Sequence, residues 1–223
     1  MYLIDLLGHG DNTFEKGFGV HDIPFIQQFI QTEIEGDVPL YIVGNSMGAV
    51  PAMAIAKANN VEGVILQAPM IRFDQAATAF VREQNAWYSS LLSKQTIHQG
   101  VLGALDAQKI AVEETDITLA LPDFNKPVLI FASDIDTVSP HNLWKNYENA
   151  FLRVVKVAKR PHGLMTLVGQ KEHVEIIRWF EMLNSSKTAI SRQSLDQIED
   201  MHLSTQIQSD NKAVAHRDES LPD

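Results

Sequence analysis

Cysteine is absent from this 223-residue chain. That excludes a disulfide framework, a thiolate nucleophile and a cysteine-ligated zinc site. Positive charge is scarce: 18 Lys and Arg stand against 28 Asp and Glu, a formal net charge of -10. Nucleic acids and anionic membrane surfaces are held by basic patches, so neither is expected as a partner. Long hydrophobic runs are also missing. No stretch approaches the roughly 20 apolar residues of a membrane span. The start, Met1-Tyr2-Leu3-Ile4-Asp5, has neither the basic residues nor the apolar length of a signal peptide, so a cytoplasmic location is expected. What remains is ordinary globular composition, 45% hydrophobic and 21% charged, enough for one main domain with a substantial core.

What is present is organised around Val43-Gly44-Asn45-Ser46-Met47-Gly48-Ala49. An apolar run, residues 38–43, leads into it, and an Ala- and Met-rich helical run, about 47–59, leads out. A strand, a sharp turn with serine at its apex and a helix are the context in which G-x-S-x-G presents a nucleophile. A side chain at Gly44 or Gly48 is expected to crowd the backbone that folds past the serine. Matches to so short a motif arise by chance, so its neighbours have to carry the argument.

Tyr2–Leu7 reads as a short buried strand closed by Gly8-His9-Gly10. Asp22 reads as an N-cap, with Pro24 in the first turn of an amphipathic helix over 23–34. After the helix that follows Ser46, residues 61–67 form the next strand. Strand alternates with helix, which predicts an α/β fold: a mostly parallel sheet with helices on both faces. Residues 71–125 interrupt the pattern with helical stretches at about 74–94 and 104–114, a helical cap insertion. Its Phe73, Phe80, Trp87, Tyr88, Leu91, Leu92, Val101 and Leu102 either line an apolar substrate site or attach the cap to the core. The core resumes with a strand at 128–132, a helix at 140–150, a strand at 152–157 and a helix at 170–184. The domain is therefore drawn at 1–184, with 185–223 as a polar, partly disordered tail.

Acyl transfer by serine needs an imidazole to take the hydroxyl proton and a carboxylate to hold that imidazole in the right tautomer. The chain offers Ser46, then Asp136, then His162, each in a loop after a predicted strand. All three loops fall at one edge of a parallel sheet. Asp134 is the rival acid; Asp136 is preferred because Asp-x-Val-x-Pro leads directly into the next helix. His141 and His173 fall in predicted helices, and His98 and His202 in the cap and tail. No metal or cofactor is implied, because an activated serine supplies the nucleophile.

The set G-N-S-M-G-A, S-D-I-D-T-V-S-P and R-P-H-G-L-M resembles the α/β-hydrolase superfamily. Within it the chain is similar to the monoglyceride lipase, lysophospholipase and serine aminopeptidase-like group. Asp5-Leu6-Leu7-Gly8-His9-Gly10-Asp11 matches that group's D-x-x-G-H-G-x turn, whereas Asn45 departs from its usual histidine. The resemblance implies a serine esterase acting on a lipid-like acyl substrate such as a monoacylglycerol or lysophospholipid. The Met47 backbone N–H would be one oxyanion donor. It leaves a peptidase-like or carbon–carbon bond hydrolase, or a non-catalytic binding module, as alternatives. It also implies a further strand, between those at 2–7 and 38–43, whose loop donates a second N–H. No such strand is found, so the core is expected to be incomplete at its amino-terminal side.

Overall fold

Four apolar runs pair into one parallel sheet in the computed structural model, which describes residues 1–36, 38–84 and 91–185. Strands β1 (Tyr41–Asn45), β2 (Gly63–Gln67), β3 (Val128–Ser133) and β4 (Leu152–Val157) lie in that order across the sheet. The register sets Val43 beside Ile65, Leu66 beside Ile130 and Ile130 beside Val154. Every residue of β3 is buried, as is all of β2 up to Leu66. Strands covered on both faces can be continuously apolar, which is why these runs do not alternate. Burial falls toward the margins. In β4 buried and exposed residues alternate in part, while β1 buries Gly44 alone and leaves Val43 63% exposed.

Helices make the crossovers that parallel strands require. Between β1 and β2 runs α2 (Ala49–Ala58), preceded by a single 3-10 turn at Ser46–Gly48. Its alanines let it lie close on the sheet, and Ala49, Val50, Ala52, Met53, Ile55 and Ala56 are buried. Before β1, α1 (Ile23–Glu33) packs on α2 with Pro24 in its first turn, yet none of its residues is fully buried. Between β2 and β3 lies the cap, built from α3 (Phe73–Glu83), α4 (Lys94–Ala107) and short 3-10 turns at Val112–Thr115 and Ile117–Ala120. The short helix α5 (His141–Lys145) joins β3 to β4. The chain divides into two compact units, Met1–Glu172 and His173–Asp223. In the second, residues are helical as far as 185, and the Trp179 and Phe180 rings meet edge to face. Among the described residues no helix is long and apolar enough to cross a membrane.

Several expectations are corrected. Residues 2–7 do not form a strand: Tyr2, Leu3 and Ile4 are 60%, 87% and 47% exposed, and of this run only Leu7 is buried. A strand needs a neighbour to take its hydrogen bonds, and among the described residues β1 pairs only with β2. Asp22 stands at the N-cap of α1 as expected, but its side chain makes no capping hydrogen bond: it is buried, and its carboxylate accepts from Leu7 N at 2.6 Å and Gly19 N at 3.0 Å. The second cap helix spans Lys94–Ala107 rather than 104–114, started by Ser93 Oγ accepting from Thr96 N at 3.0 Å. The helix expected over 140–150 shortens to Lys145. Trp87, Tyr88 and the tail from 186 lie outside the described residues.

Candidate active site

The turn after β1 brings its serine to the carboxyl edge of the sheet by a strained route. Ser46 has φ 47, a left-handed conformation uncommon for a residue with a side chain. Its carbonyl accepts from Met70 N at 3.1 Å. Gly44 is required here: a Cβ would stand 2.7 Å from Gly48 O and 2.8 Å from the Ala52 Cβ. Gly48 is not so constrained. A Cβ there would meet nothing within 4 Å, so the expected crowding holds for the first glycine alone. Across the turn, Gly19 (φ 82) lets the loop before α1 approach closely, since a Cβ would lie 3.2 Å from Met47 O.

The loops after β3 and β4 deliver the other two side chains. His162 Nε2 lies 2.8 Å from Ser46 Oγ, and His162 Nδ1 lies 2.8 Å from Asp136 Oδ2. Asp136 and His162 are both buried, at 2% and 8% exposed. The other carboxylate oxygen, Asp136 Oδ1, accepts from Val138 N at 2.8 Å and Ser139 N at 2.9 Å. The carboxylate is thus oriented before histidine reaches it. With the ring proton on Nδ1 and donated to Asp136, Nε2 is left to accept from the serine hydroxyl.

The rival residues are elsewhere. Asp134 turns away and braces the histidine loop: Oδ1 accepts from Lys159 N at 2.8 Å, and Oδ2 lies 3.2 Å from Lys156 Nζ. That backbone N–H, with Lys156, holds the Asp134 carboxyl below its ordinary range. His141 begins α5, and burial, with Lys156 and Lys145 nearby, pushes its imidazole down. His98 faces Asp74 in the cap, 3.9 Å away. Arg160, the first residue of the R-P-H-G-L-M run but assigned no role there, secures the histidine loop. Its N–H donates to the buried Ser133 Oγ at 3.2 Å, and its guanidinium meets Glu172 at 2.9 Å and Leu167 O at 2.6 Å. The Met47 N–H lies in the turn directly after Ser46, on a half-buried residue.

The cap contributes Phe80, whose ring meets the His162 imidazole edge to face with centroids 6.0 Å apart. Phe73 packs on Phe18 in the same manner at 4.8 Å. A cavity of about 1150 Å³ lies between α3 and α4, with Arg72, Asp74, Gln75, Lys94 and His98 among its described lining residues. Neither Ser46 nor His162 lines it. Burial pushes the Asp74 carboxyl up, and the bidentate Arg72 guanidinium, at 2.7 and 3.0 Å, outweighs this and holds it below its ordinary value. Among the described residues no cluster of His, Asp and Glu is gathered as a metal would need.

Solved structures share this architecture at low identity. MGS-M2, an α/β hydrolase enzyme from a Medee basin deep-sea metagenome library, superposes with a TM-score of 0.55 at 15% identity, covering 79% of this chain and 78% of that one. The Pyrococcus furiosus esterase Pf2001 gives a TM-score of 0.55 at 12% identity, covering 80% of this chain and 68% of that one. MGS-MChE2, an α/β hydrolase enzyme from a lagoon-sediment metagenome of Mar Chica, Morocco, gives 0.52 at 14% identity, covering 74% and 71%. No curated protein matches the chain. The model of the alpha/beta hydrolase family matches residues 1–184, and the chain belongs to that family.

Proposed function

We propose that this protein is a serine hydrolase of carboxylic esters that works through an acyl-enzyme. The observation that carries the reading is the hydrogen-bonded series Ser46 Oγ, His162 and Asp136, with both links at 2.8 Å, at the edge of a parallel sheet. Ser46 Oγ attacks the acyl carbonyl while His162 Nε2 takes its proton. Asp136 fixes the imidazole tautomer and stabilises the imidazolium. The Met47 N–H stabilises the oxyanion. His162 then returns the proton to the leaving alcohol, and a water molecule, deprotonated by the same imidazole, hydrolyses the acyl-enzyme. The fold neighbours that are esterases agree with this class of reaction.

For substrate we infer a lipid-like ester. Phe80 presents a 40% exposed ring beside His162, an apolar wall suited to an acyl chain. We also infer that the oxyanion site is completed by a strand against the outer edge of β1, where Val43 is exposed. Its absence would leave one N–H donor, a loss worth about 10²–10³ in rate.

The test of the mechanism is labelling by a fluorophosphonate. The folded protein is expected to label once, with labelling abolished in Ser46→Ala and strongly slowed in His162→Ala. Folded wild-type protein that resists the probe would make this a non-catalytic member of its family. A p-nitrophenyl ester series from acetate to decanoate tests the substrate class, and a preference for acetate would sink the lipid assignment.

A further inference from the structure

The loop that carries Asp136 is tied to the rest of the site by a side chain outside the acid–base series. Ser139 is fully buried, and its Oγ is bound at both ends. It donates to Pro69 O at 2.8 Å and accepts from the indole N–H of Trp144 at 2.8 Å. Trp144 is itself fully buried. The next residue after Pro69, Met70, donates its N–H to Ser46 O. One short segment, Ala68-Pro69-Met70, therefore holds the serine turn by an N–H and the acid loop by a carbonyl. That segment is fixed in turn, because Ala68 (φ 42) donates its N–H to Phe131 O at 2.8 Å.

We propose that Ser139 is a positioning residue for Asp136, linking the acid loop to the segment that holds Ser46 so that acid and nucleophile keep one spacing. The backbone N–H of Ser139 is one of the two donors to Asp136 Oδ1, so the place of that N–H sets the aim of the carboxylate. The place of the N–H is set by the hydroxyl anchored at Pro69 and Trp144. Removing the hydroxyl leaves a buried indole N–H and a buried carbonyl unpaired, and the loop must shift to satisfy them. Displacement of catalytic groups by about 1 Å lowers rates by up to about 10²-fold.

This inference rests on the acyl-transfer reading above, and the test separates the two. Fluorophosphonate labelling rates are measured on the full chain for wild type, Ser139→Ala, Asp136→Ala and the double variant. Ser139→Ala is expected to label roughly 10- to 100-fold more slowly. In the Asp136→Ala background the same substitution is expected to change nothing, because no carboxylate is left to aim. In ¹⁵N–¹H spectra the indole resonance of Trp144 should move upfield in Ser139→Ala, while those of the other two tryptophans stay in place. Trp144→Phe, which removes the donor to Ser139 together with part of the buried ring, carries the same test if Ser139→Ala does not fold; part of the slowing is expected, and the portion that reports aim rather than packing is the portion seen only when Asp136 is present. Wild-type labelling rates in a folded Ser139→Ala protein would overturn the proposal while leaving the hydrolase reading intact. Equal slowing with and without Asp136 would also overturn it, by showing general damage. A wild-type protein that never labels would bring down both.

Discussion

The two sides of the sheet are held very differently. At the carboxyl edges of β2, β3 and β4, short loops are tied to one another and to the serine turn by hydrogen bonds: Ser139 to Pro69, Trp144 to Ser139, Arg160 to Ser133, Met70 to Ser46. On the β1 side no strand among the described residues pairs with the outer edge, and α1 has no fully buried residue; Tyr2, Leu3 and Ile4 before it are exposed. In the proposed mechanism, proton transfer belongs to the first side, and oxyanion stabilisation, through the Met47 N–H, to the second. On that reading the acid–base half and the oxyanion half of the site are separable: one is built by loops that fasten each other, the other lies beside the strand edge.

The largest effect should come from the fastened side. Asp136→Asn is expected to lower the labelling rate about 10³–10⁴-fold, the scale seen when an orienting aspartate is amidated. The reason is specific to this loop. Val138 N and Ser139 N hold the amide oxygen at the Oδ1 position, so the amide NH₂ must face His162 Nδ1. That selects the tautomer with its proton on Nε2, which cannot take one from Ser46. A loss of only a few-fold would mean the carboxylate is less firmly aimed than its two N–H contacts imply.

The next contrast sets the two sides against each other in stability. Ile130→Ala, in the fully buried β3, should destabilise by about 2–5 kcal/mol. Leu3→Ala should shift stability by no more than about 0.5 kcal/mol, the scale of exposed positions. Urea denaturation of both variants measures this, and equal losses would erase the contrast.

The cap provides a third, smaller measure. The folded Asp74 carboxyl is held below its ordinary value of 3.8 by Arg72, despite burial that pushes it up. Its stabilisation is therefore present above that ordinary value and lost as pH falls through the lower folded one. Asp74→Asn should cost about 1–3 kcal/mol near neutral pH, the scale of a charge-assisted hydrogen bond. The difference in thermal midpoint from wild type should close below about pH 4. A gap that persists at low pH would assign the loss to packing rather than charge.

Much of the sheet was legible because buried strands such as Val128–Ala132 are continuous apolar runs, and Asp136 and His162 each follow one. Their meeting with Ser46 follows from parallel topology, which puts all strand ends on one edge. Residues 2–7 carry the same apolar signature, but a run cannot reveal that no neighbour is there to pair with it. Helix α4 was misplaced because Gly100 and Gly103 argue against helix at about 1 kcal/mol each, while buried Ile97 and Leu105 outweigh them. Asp134 and Asp136 are alike in character; the lead of Asp136 into the next helix favoured it in the sequence, and the structure separates them by what faces them, Lys159 N and Lys156 for one and His162 for the other. Ser139 and Arg160 lay within quoted runs but drew no role, since their partners (Pro69 O and the Trp144 indole for one; Ser133 Oγ, Glu172 and Leu167 O for the other) meet them only once the chain is folded.

The positive φ of Ser46 has a consequence for how this position would drift. A left-handed backbone costs a residue with a Cβ about 1–2 kcal/mol, and glycine nothing. A Ser46→Gly protein should therefore be the more robust fold and an inert one. At this single position thermal robustness and reactivity are opposed, so a lineage relieved of the chemistry would find its stability improved by the very change that ends it.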